Sequence, residues 1–518
     1  MLKKILVRKN AYFDSVTLMS LGSKIKKMDG VSQAVVVMAT EMNREILKNV
    51  GLGNEETEAA GPNDLVLAVE AESETFLSAA FAEIEEKLAG SQDKKKNRDN
   101  VYKTQEEALK DGVKANMAVI SVPGRFAARE AKKALKNGMH VMLFSDNVTV
   151  EQERELKELA REKGLLVMGP DCGTAVVNGT GLCFANKMRK GAIGIVGASG
   201  TGLQEVLVQI DRLGGGIAQA LGTGGRDLKE SIGGIMMMEG IKALDGEEQV
   251  KVLVLVSKPP EPAVEETIWN LLRQVKKPVV VCFLEGKKRE NLPGNICMAS
   301  TLLEAAKKAV ALEEGVEHTE EIRDRSREIQ KESMDLKPEQ RYVRGFFCGG
   351  TLCAEALIVL RERLSELRSN VSHHEGEILE NARDLKGNVL LDLGEDEFTN
   401  GRPHPMIEPS LRTEWIVDAA KDPAVGVILL DVEIGYGSHE NPAQIAAEGI
   451  RQAKETAKAA GRSLKIVAYV CGTDKDRQNL EEQRAILAGE GAILADSNVE
   501  AAHLAAQLLG NQKGGKNR

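Results

Sequence analysis

Two short glycine-rich stretches carry residue types that hold anions. Residues 194–207 read GIVGASGTGLQEVL, and residues 344–357 read RGFFCGGTLCAEAL. In each, an apolar strand pattern ends in small residues and a helix pattern begins at once. The first turn of a helix leaves backbone N–H groups unpaired at the positive end of the helix dipole, which suits phosphate or carboxylate. The predicted phosphate-binding residues are Ser199, Gly200, Thr201, Gly202, Gly349, Gly350 and Thr351.

Turn geometry alone is the alternative interpretation, because tight strand-to-helix turns in parallel sheets use glycine anyway. The chain has no GxxxxGK[ST] motif, which excludes a P-loop, and no GxGxxG with the acidic partner of a dinucleotide fold. The repetition of one design favours anion binding. We expect the helices that begin near Ser199 and Gly349 to converge on one phosphate-sized pocket.

Polar residues after other predicted strands are the catalytic candidates. Arg402 and His404 lie in GRPHPMIEP (401–409), a proline-bracketed loop at a strand end, where parallel sheets bind ligands. Arginine matches carboxylate or phosphate with a planar fork, and histidine can act as an acid or base. Lys258 is a candidate neutraliser of phosphate. The alternatives are a solvated loop for the first two and a surface position before two prolines for Lys258.

Two further turns supply substrate-binding candidates, GPDCGT (169–174) and GTGGRDL (222–228), with Asp171, Cys172, Arg226 and Asp227. An internal ion pair is the alternative for Arg226 and Asp227. Cys172 is expected to line the pocket and not to react as a thiolate, because no histidine stands in its motif.

No metal site is expected. The seven cysteines are scattered without a CxxC pair, no HxH or HExxH is present, and the adjacent histidines at 373 and 374 are expected in an exposed turn.

The bulk composition describes a globular protein of several domains. The 518 residues are 42% apolar and 28% charged, with a formal net charge of -9. The acidic balance argues against nucleic acid and against a basic membrane-binding face. No run approaches the roughly 18 apolar residues of a membrane span, and the start lacks the apolar core of a signal peptide. We therefore expect free thiols and a cytoplasmic location.

The alternation of apolar runs and helix patterns predicts an α/β fold of several three-layer domains with parallel sheets. The predicted order is a small α/β domain (1–90), a linker (91–112), a Rossmann-like domain of the CoA-binding type (113–190) and a flavodoxin-like domain (191–312). A charged helical linker (313–340), a second flavodoxin-like domain (341–510) and a disordered tail (511–518) complete it.

The motif MGPDCGTAVVNGTG (168–181), followed by IGIVGASGTGLQEV, resembles the α subunit of succinyl-CoA synthetase. Residues 341–510 resemble the carboxy-terminal domain of its β subunit, with NVLLDLG and AVGVILLDV as the matching strands. Together with GTGGRDL, VSKPP and GRPHPMIEP, these motifs make nearly the whole chain similar to the FdrA family of acyl-CoA synthetase-like proteins. The resemblance implies that the two glycine turns are halves of one phosphate site.

The chain also departs from that pattern. No ATP-grasp domain fits between 310 and 341, and residues 282–300 contain no histidine where the family carries a phosphorylated one. Lys258 stands near the place of the glutamate that orients that histidine. SVPGR (121–125) replaces the glycine-rich CoA turn, which speaks against CoA binding.

Three hypotheses for function follow from the resemblance. The first is a subunit of an oxamate carbamoyltransferase of allantoin degradation, which converts oxalurate and phosphate to oxamate and carbamoyl phosphate, with phosphate as co-substrate and no cofactor. The second is an acyl-CoA ligase subunit that acts with an ATP-grasp partner, and the third is a non-catalytic ligand-binding scaffold. The expected partners are companion subunits or a second copy of the chain.

Overall fold

The computed structural model describes residues 1–11, 13, 15–96, 101–315, 325–399 and 402–510. The chain divides into two compact units, Met1–Val113 and Lys114–Arg518. Mixed α/β layers with parallel sheets confirm the predicted fold class. The tail predicted to be disordered, 511–518, lies outside the described residues. Within those residues, every helix is too short or too polar to cross a bilayer.

The first unit is a small antiparallel sheet covered by helices. Its strands pair in the order β1-β3-β2. Helix α4 continues past the predicted domain end at residue 90, and α5 lies inside the predicted linker 91–112. The elements are β1 (Leu2–Arg8), α1 (Ser15–Lys26), β2 (Val31–Met38), α2 (Glu41–Asn49), α3 (Glu55–Ala59), β3 (Leu65–Ala71), α4 (Glu74–Lys96) and α5 (Gln105–Lys110).

The second unit opens with a small parallel sheet of order β4-β5-β6. A hairpin that precedes the predicted boundary at 190 joins the next sheet, since β7 pairs antiparallel with β10 through Val176 and Ala220. Asn178 and Gly179 turn this hairpin with positive φ angles. The elements are β4 (Met117–Ile120), α6 (Gly124–Lys136), β5 (His140–Leu143), α7 (Val150–Glu162), β6 (Val167–Met168), β7 (Thr174–Val177) and β8 (Thr180–Cys183).

The following sheet has the order β13-β12-β11-β9-β10-β7-β8 among the described strands, parallel as far as β10. Its central strands are continuous buried runs of Val, Leu and Ile, as parallel strands covered on both faces require. The remaining elements are β9 (Lys190–Gly197), α8 (Gly200–Arg212), β10 (Ile217–Gly222), α9 (Ile235–Gly246), β11 (Val252–Ser257), α10 (Pro262–Leu272), β12 (Val279–Phe283), β13 (Ile296–Met298) and α11 (Leu302–Glu314).

The last sheet is parallel, with the order β15-β16-β14-β17-β18-β19 in the described chain. Its elements are α12 (Ser326–Ser333), β14 (Tyr342–Phe347), α13 (Gly350–Arg361), β15 (Leu367–Ser369), β16 (Asn388–Asp392), α14 (Asp396–Thr399), α15 (Ser410–Ala419), β17 (Val425–Glu433), α16 (Pro442–Ala459), β18 (Lys465–Cys471), α17 (Leu480–Gly489), β19 (Ala492–Ala495) and α18 (Asn498–Leu509).

The predicted charged linker 313–340 is packed on this last sheet where it is described. Ile329 is 1% exposed, and Lys465 donates to Glu332 and Asp335 at 2.7 and 2.8 Å. Helix α12 is therefore a docked element and not a free connector.

The two large sheets repeat one topology. The order β13-β12-β11-β9-β10 corresponds strand by strand to β19-β18-β17-β14-β16. One hydrophobic core runs through α8, α11, α13 and α18, which pack together between the sheets. Equivalent glutamates of the first helices are buried there. Glu205 accepts from Tyr469, and Glu355 accepts from the N–H of Leu302 at 2.7 Å.

Candidate functional site

The starts of α8 and α13 are in direct contact, which confirms that the two helices converge, whereas the phosphate-sized pocket between them stays a prediction. The Ser199 and Thr351 hydroxyl groups are hydrogen-bonded to each other. A Cβ atom added to Gly349 would lie 2.4 Å from Cγ2 of Thr201, and one added to Gly202 would lie 2.7 Å from Cγ2 of Thr351. These glycines are needed for the close approach of two helices from opposite sheets, so local turn geometry does not explain them alone.

The two helix starts differ in how their N–H groups are satisfied. Ser199 caps α8, since its Oγ accepts from the N–H of Gly202 at 3.1 Å. Gly349 caps α13 without a side chain, so no side-chain hydrogen bond is made from the cap to the first N–H groups of that helix. Unpaired donors at the positive end of a helix favour an anion.

The strand register makes Lys258 and Glu433 counterparts in the two sheets. Val256 of β11 pairs with Gly197, two residues before Ser199, and Leu430 of β17 pairs with Phe346, three residues before Gly349. If the pairing of β17 with β14 is continued by one residue, Asp431 faces Phe347, which stands two residues before Gly349 just as Gly197 stands two residues before Ser199. Asp431 therefore occupies the position of Val256, and Glu433 occupies that of Lys258. The two central strands thus carry opposite charges at equivalent positions, a lysine in one sheet and a glutamate in the other. The Lys258 charge also acts across the interface, where it partly offsets the rise that burial causes in the pKa of Asp392.

An acidic group lies at the start of α13. A Cβ atom on Gly350 would be 2.7 Å from Oδ2 of Asp392 and 3.8 Å from Oε1 of Glu395. Burial, reinforced by the charges of Glu395 and Asp431, raises the pKa of Asp392 to about 7. At neutral pH this carboxyl group is therefore partly protonated, and it can donate as well as accept a proton.

His404 lies beside this group. Its Nε2 would be 2.5 Å from a Cβ on Gly394, and its ring centroid is 5.9 Å from that of Phe184. Burial lowers the pKa of His404 to about 4. Nδ1 accepts from the N–H of Met406 at 3.2 Å, which assigns the proton of the neutral ring to Nε2. His404 is thus suited to donate a hydrogen bond and not to act as a base at neutral pH.

The GPDC turn (169–172) packs against the second predicted substrate turn. A Cβ atom on Gly224 would lie 2.4 Å from the carbonyl oxygen of Pro170, so the two predicted substrate turns are in contact. Asp171 has a left-handed φ of 57°. Its side chain is exposed at the surface but stands among many protein atoms, which displace part of its water. Desolvation, followed by the charges of Asp146 and Asp396, raises the pKa of Asp171 to about 6.

The structure corrects several predicted roles. Asp227 is 0% exposed and pairs with Lys157 at 2.9 Å, while its two oxygens accept from the N–H groups of Met236 and Met237. Its carboxylate has no capacity left for a substrate, and the internal ion pair is the correct interpretation. Arg226 is likewise used within the fold, since it pairs with Glu153 at 2.9 Å and donates to the carbonyl of Val148.

Cys172 is a packed thiol. Its sulfur would be 2.5 Å from a Cβ on Gly222, and burial raises the pKa of Cys172 to about 12. Arg402 is exposed and joined to the fold by its backbone N–H, which donates to Thr399. The structure thus places Asp392 beside the start of α13 and His404 beside Gly394, and connects Lys258 with this group only through the effect of its charge on Asp392. Among the described residues, no side-chain contact joins Arg402 to this group.

Sequence reasoning missed the acids around the turns. Asp392, Asp431 and Glu433 end strands that read as purely apolar until their last residues. Arg412, which is 2% exposed and pairs with Asp431 at 2.9 Å, stands inside a helix pattern with no signal of its own. A charged residue directly after an apolar strand was the sequence signal that could have predicted these acids near the site.

Three family models match the chain. The model described as AllF, heavy metal-associated domain, covers residues 1–106, that of the CoA binding domain covers 188–286, and that of CoA-ligase covers 346–508. The CoA-binding likeness therefore falls on β9 to β12 and not on residues 113–190, where the sequence analysis placed it.

The heavy-metal description does not fit the donors present. Residues 1–106 contain no cysteine and no histidine, whereas thiolate and imidazole are the ligands that soft transition metals select. No chemical step is assigned to a metal in this unit.

The uncharacterized protein YahF of Escherichia coli (strain K12) is 46% identical over 508 residues, which cover 98% of each chain. Subunit alpha 1 of a succinate–CoA ligase (ADP-forming) of Archaeoglobus fulgidus is 27% identical over 240 residues, 45% of this chain and 80% of the relative. A dinucleotide-forming acetyl-coenzyme A synthetase of Ca. Korarchaeum cryptofilum aligns over 79% of this chain and 85% of that one, with 14% identity and a TM-score of 0.34. At the coarse level, the CoA-binding and CoA-ligase models and the succinate–CoA ligase relative make the chain succinyl-CoA ligase-like. None of these comparisons names FdrA.

Proposed function

This chain belongs to the same family as YahF of Escherichia coli, and from the CoA-binding and CoA-ligase models and the site geometry we propose that it is the acyl-handling chain of an acyl-CoA synthetase-like enzyme. In this proposal, the starts of α8 and α13 hold a phosphate group, either free or carried by the acyl substrate. The observation that supports it best is the direct contact of the two glycine turns. Each helix end contributes about 0.3–1 kcal/mol to anion binding when exposed and up to about 2 kcal/mol when partly buried.

The neighbouring side chains supply the rest of the chemistry. Attack on an acyl carbon builds a negatively charged tetrahedral oxygen, which preorganised N–H donors stabilise. Lys258 provides a cation on the α8 side. Asp392 provides a carboxyl group whose pKa of about 7 lets it give a proton to a leaving group. Its partial protonation also reduces the repulsion between this acid and a bound phosphate.

The acyl acceptor distinguishes two versions of the function. The CoA-binding and CoA-ligase family models favour a thiol acceptor of the CoA type and a separate partner that handles the nucleotide. Carbamoyl transfer from oxalurate to phosphate is the second candidate. It is favoured by the histidine-free segment 282–300 and by Lys258 after β11, because a phosphoryl relay through histidine then has no acceptor there. Companion subunits, a homodimer and a cytoplasmic location remain predictions.

Two assays on the full chain, with and without an ATP-grasp partner, separate these versions. The first follows thioester formation from CoA and an acyl phosphate, and the second follows carbamoyl phosphate formation from oxalurate and phosphate. Asp392→Asn preserves the shape of the side chain and is expected to lower kcat by about 10²–10⁴-fold, the usual contribution of a general acid. The wild-type activity should fall as the pH rises through about 7, where Asp392 loses its proton.

Thr267→Val on the exposed face of α10 is the matched control and should leave both activities unchanged. Phosphate binding measured by calorimetry should weaken in Lys258→Met. Equal phosphate affinity in Lys258→Met and wild type, together with full activity of Asp392→Asn, would contradict the proposed site.

A further inference from the structure

Three side chains with metal-ligating atoms meet beneath the start of α13. Cys348 follows β14 directly, and Asp431 and Glu433 stand two residues apart at the end of β17, on the same face of that strand. The Cys348 sulfur and one carboxylate oxygen from each of Asp431 and Glu433 lie within 4.8 Å of one another. Cys348, Asp431 and Glu433 are 2%, 0% and 2% exposed. We call this group the β17 triad.

A second observation points to a missing partner in the β17 triad. In the described part of the chain, neither carboxylate oxygen of Glu433 accepts a hydrogen bond from a nitrogen donor, and the enclosed side chain faces only the Asp431 carboxylate and the Cys348 thiol. Burying a carboxyl group without partners is costly, so natural structures rarely retain one unless it has a role. Asp431, in contrast, is well satisfied, because it accepts from the N–H of Cys348 at 2.9 Å and pairs with Arg412 at 2.9 Å.

The charges of the neighbourhood fit a divalent cation. With Cys348 as thiolate and both acids ionised, the triad carries three negative charges, and Arg412 cancels one of them. A divalent cation would bring the enclosed group to neutrality.

From this geometry we propose that the β17 triad is a binding site for a divalent, thiol-preferring cation of the Zn²⁺ class. One thiolate and two carboxylates are three of the four ligands of a tetrahedral site. The cation would lie between the carboxyl ends of β14 and β17, directly below the turn that opens α13. Neither the paired glycine turns nor the acyl-transfer proposal assigns a role to this group, and the site lies far in sequence from residues 1–106.

The test measures metal content and ligation in the full chain. Because the triad is enclosed, the protein is produced in medium supplemented with Zn²⁺ or Co²⁺, and a second sample is unfolded and refolded with each ion. Native mass spectrometry is expected to show one ion per chain after removal of loosely bound metal. The Co²⁺ form should show the near-ultraviolet charge-transfer absorption of a cobalt–thiolate bond.

The variants are chosen to preserve the fold. Cys348→Ser and Glu433→Gln keep the shape of each side chain and remove its ability to bind as a thiolate or a carboxylate. Each should weaken Zn²⁺ binding by more than about 100-fold, since even outer-shell partners of a ligand account for 10- to 100-fold. Cys282→Ser, at a buried thiol of β12, is the matched control and should keep the metal and the absorption.

The near-ultraviolet circular dichroism of each variant shows that it is folded. A wild-type chain that takes up no ion by either route, or a folded Cys348→Ser that retains one with the thiolate band, would overturn the proposal.

Discussion

The contact between the two glycine turns predicts that one added methyl group, in Gly349→Ala, will destabilise the protein strongly. In Gly349→Ala, the new Cβ would lie 2.4 Å from both Cγ2 and Oγ1 of Thr201 and 2.6 Å from its Cβ. Rotation of the Thr201 side chain moves the first two atoms but not the third, so the helices must separate. Gly349 has φ -141° and ψ 121°, which alanine adopts freely, so the cost comes from the contact and not from the backbone.

We expect Gly349→Ala to lower the free energy of unfolding by about 3 kcal/mol, the upper part of the range for overpacked cores. Gly200→Ala is the matched control, since nothing lies within 4 Å of its new Cβ in the same turn. There, alanine should stabilise the helix by up to about 1 kcal/mol. Gly202→Ala should fall between the two, because the nearest atoms to its new Cβ belong to side chains that can shift, the Thr351 methyl group at 2.7 Å and Oγ of Ser199 at 2.8 Å.

The measurement is urea unfolding followed by the fluorescence of Trp269 and Trp415, the two tryptophans of the chain, which report on one large sheet each. Adding Thr201→Gly to Gly349→Ala removes the clashing atoms and should recover about 1–3 kcal/mol beyond the sum of the single changes. If Gly349→Ala unfolds at the same urea concentration as Gly200→Ala, or if the double variant shows no coupling, the two turns are not in contact and the reasoning fails.

Three further outcomes follow from buried groups. Asp227→Asn should lower the free energy of unfolding by about 1.5–3 kcal/mol, because buried Lys157 loses one of its two carboxylate partners and keeps only Glu153. Glu158→Gln, in the exposed pair with Arg154, should change it by less than about 1 kcal/mol, and equal melting temperatures for the two variants would contradict this. Burial, with the charge of Glu205, raises the pKa of Glu355 to about 8, so its contribution to stability is complete below the unfolded value near 4.5 and is lost as the pH rises to about 8, by up to about 1.4 kcal/mol per pH unit. Glu355→Gln should remove that slope from chemical unfolding measured between pH 5 and 8, and an unchanged slope would show that the group is not protonated. Thiol reagents should label the native chain slowly, with Cys183 and Cys297 first because the other five thiols are buried, and fast labelling of all seven would refute the packing.

The sequence by itself determined the elements and the paired turns. Continuous apolar runs identified the parallel strands, since strands covered on both faces exclude polar residues. The repeated pattern of strand, small residues and helix located Ser199 and Gly349, because only small residues permit so close an approach. The pattern could not place the hairpin β7-β8 or the docked α12, whose partners lie in another sheet and are chosen by tertiary pairing.

Only the tertiary structure decided which charged residues work inside the fold and which face the turns. Asp227 and Arg226 follow a strand as a ligand-binding pair would, yet Lys157 and Glu153 of a distant helix take up their charges. In the sequence, Asp392 and Glu433 are charged residues at the ends of apolar strands, with nothing to show that they are buried. The structure encloses both side chains. Burial then changed their protonation, because a carboxylate that loses water must find a proton, a cation or a hydrogen-bond donor. Sequence spacing cannot supply that information, because the neighbours that remove water from Asp392 and Glu433 come from other strands and helices of the same enclosure.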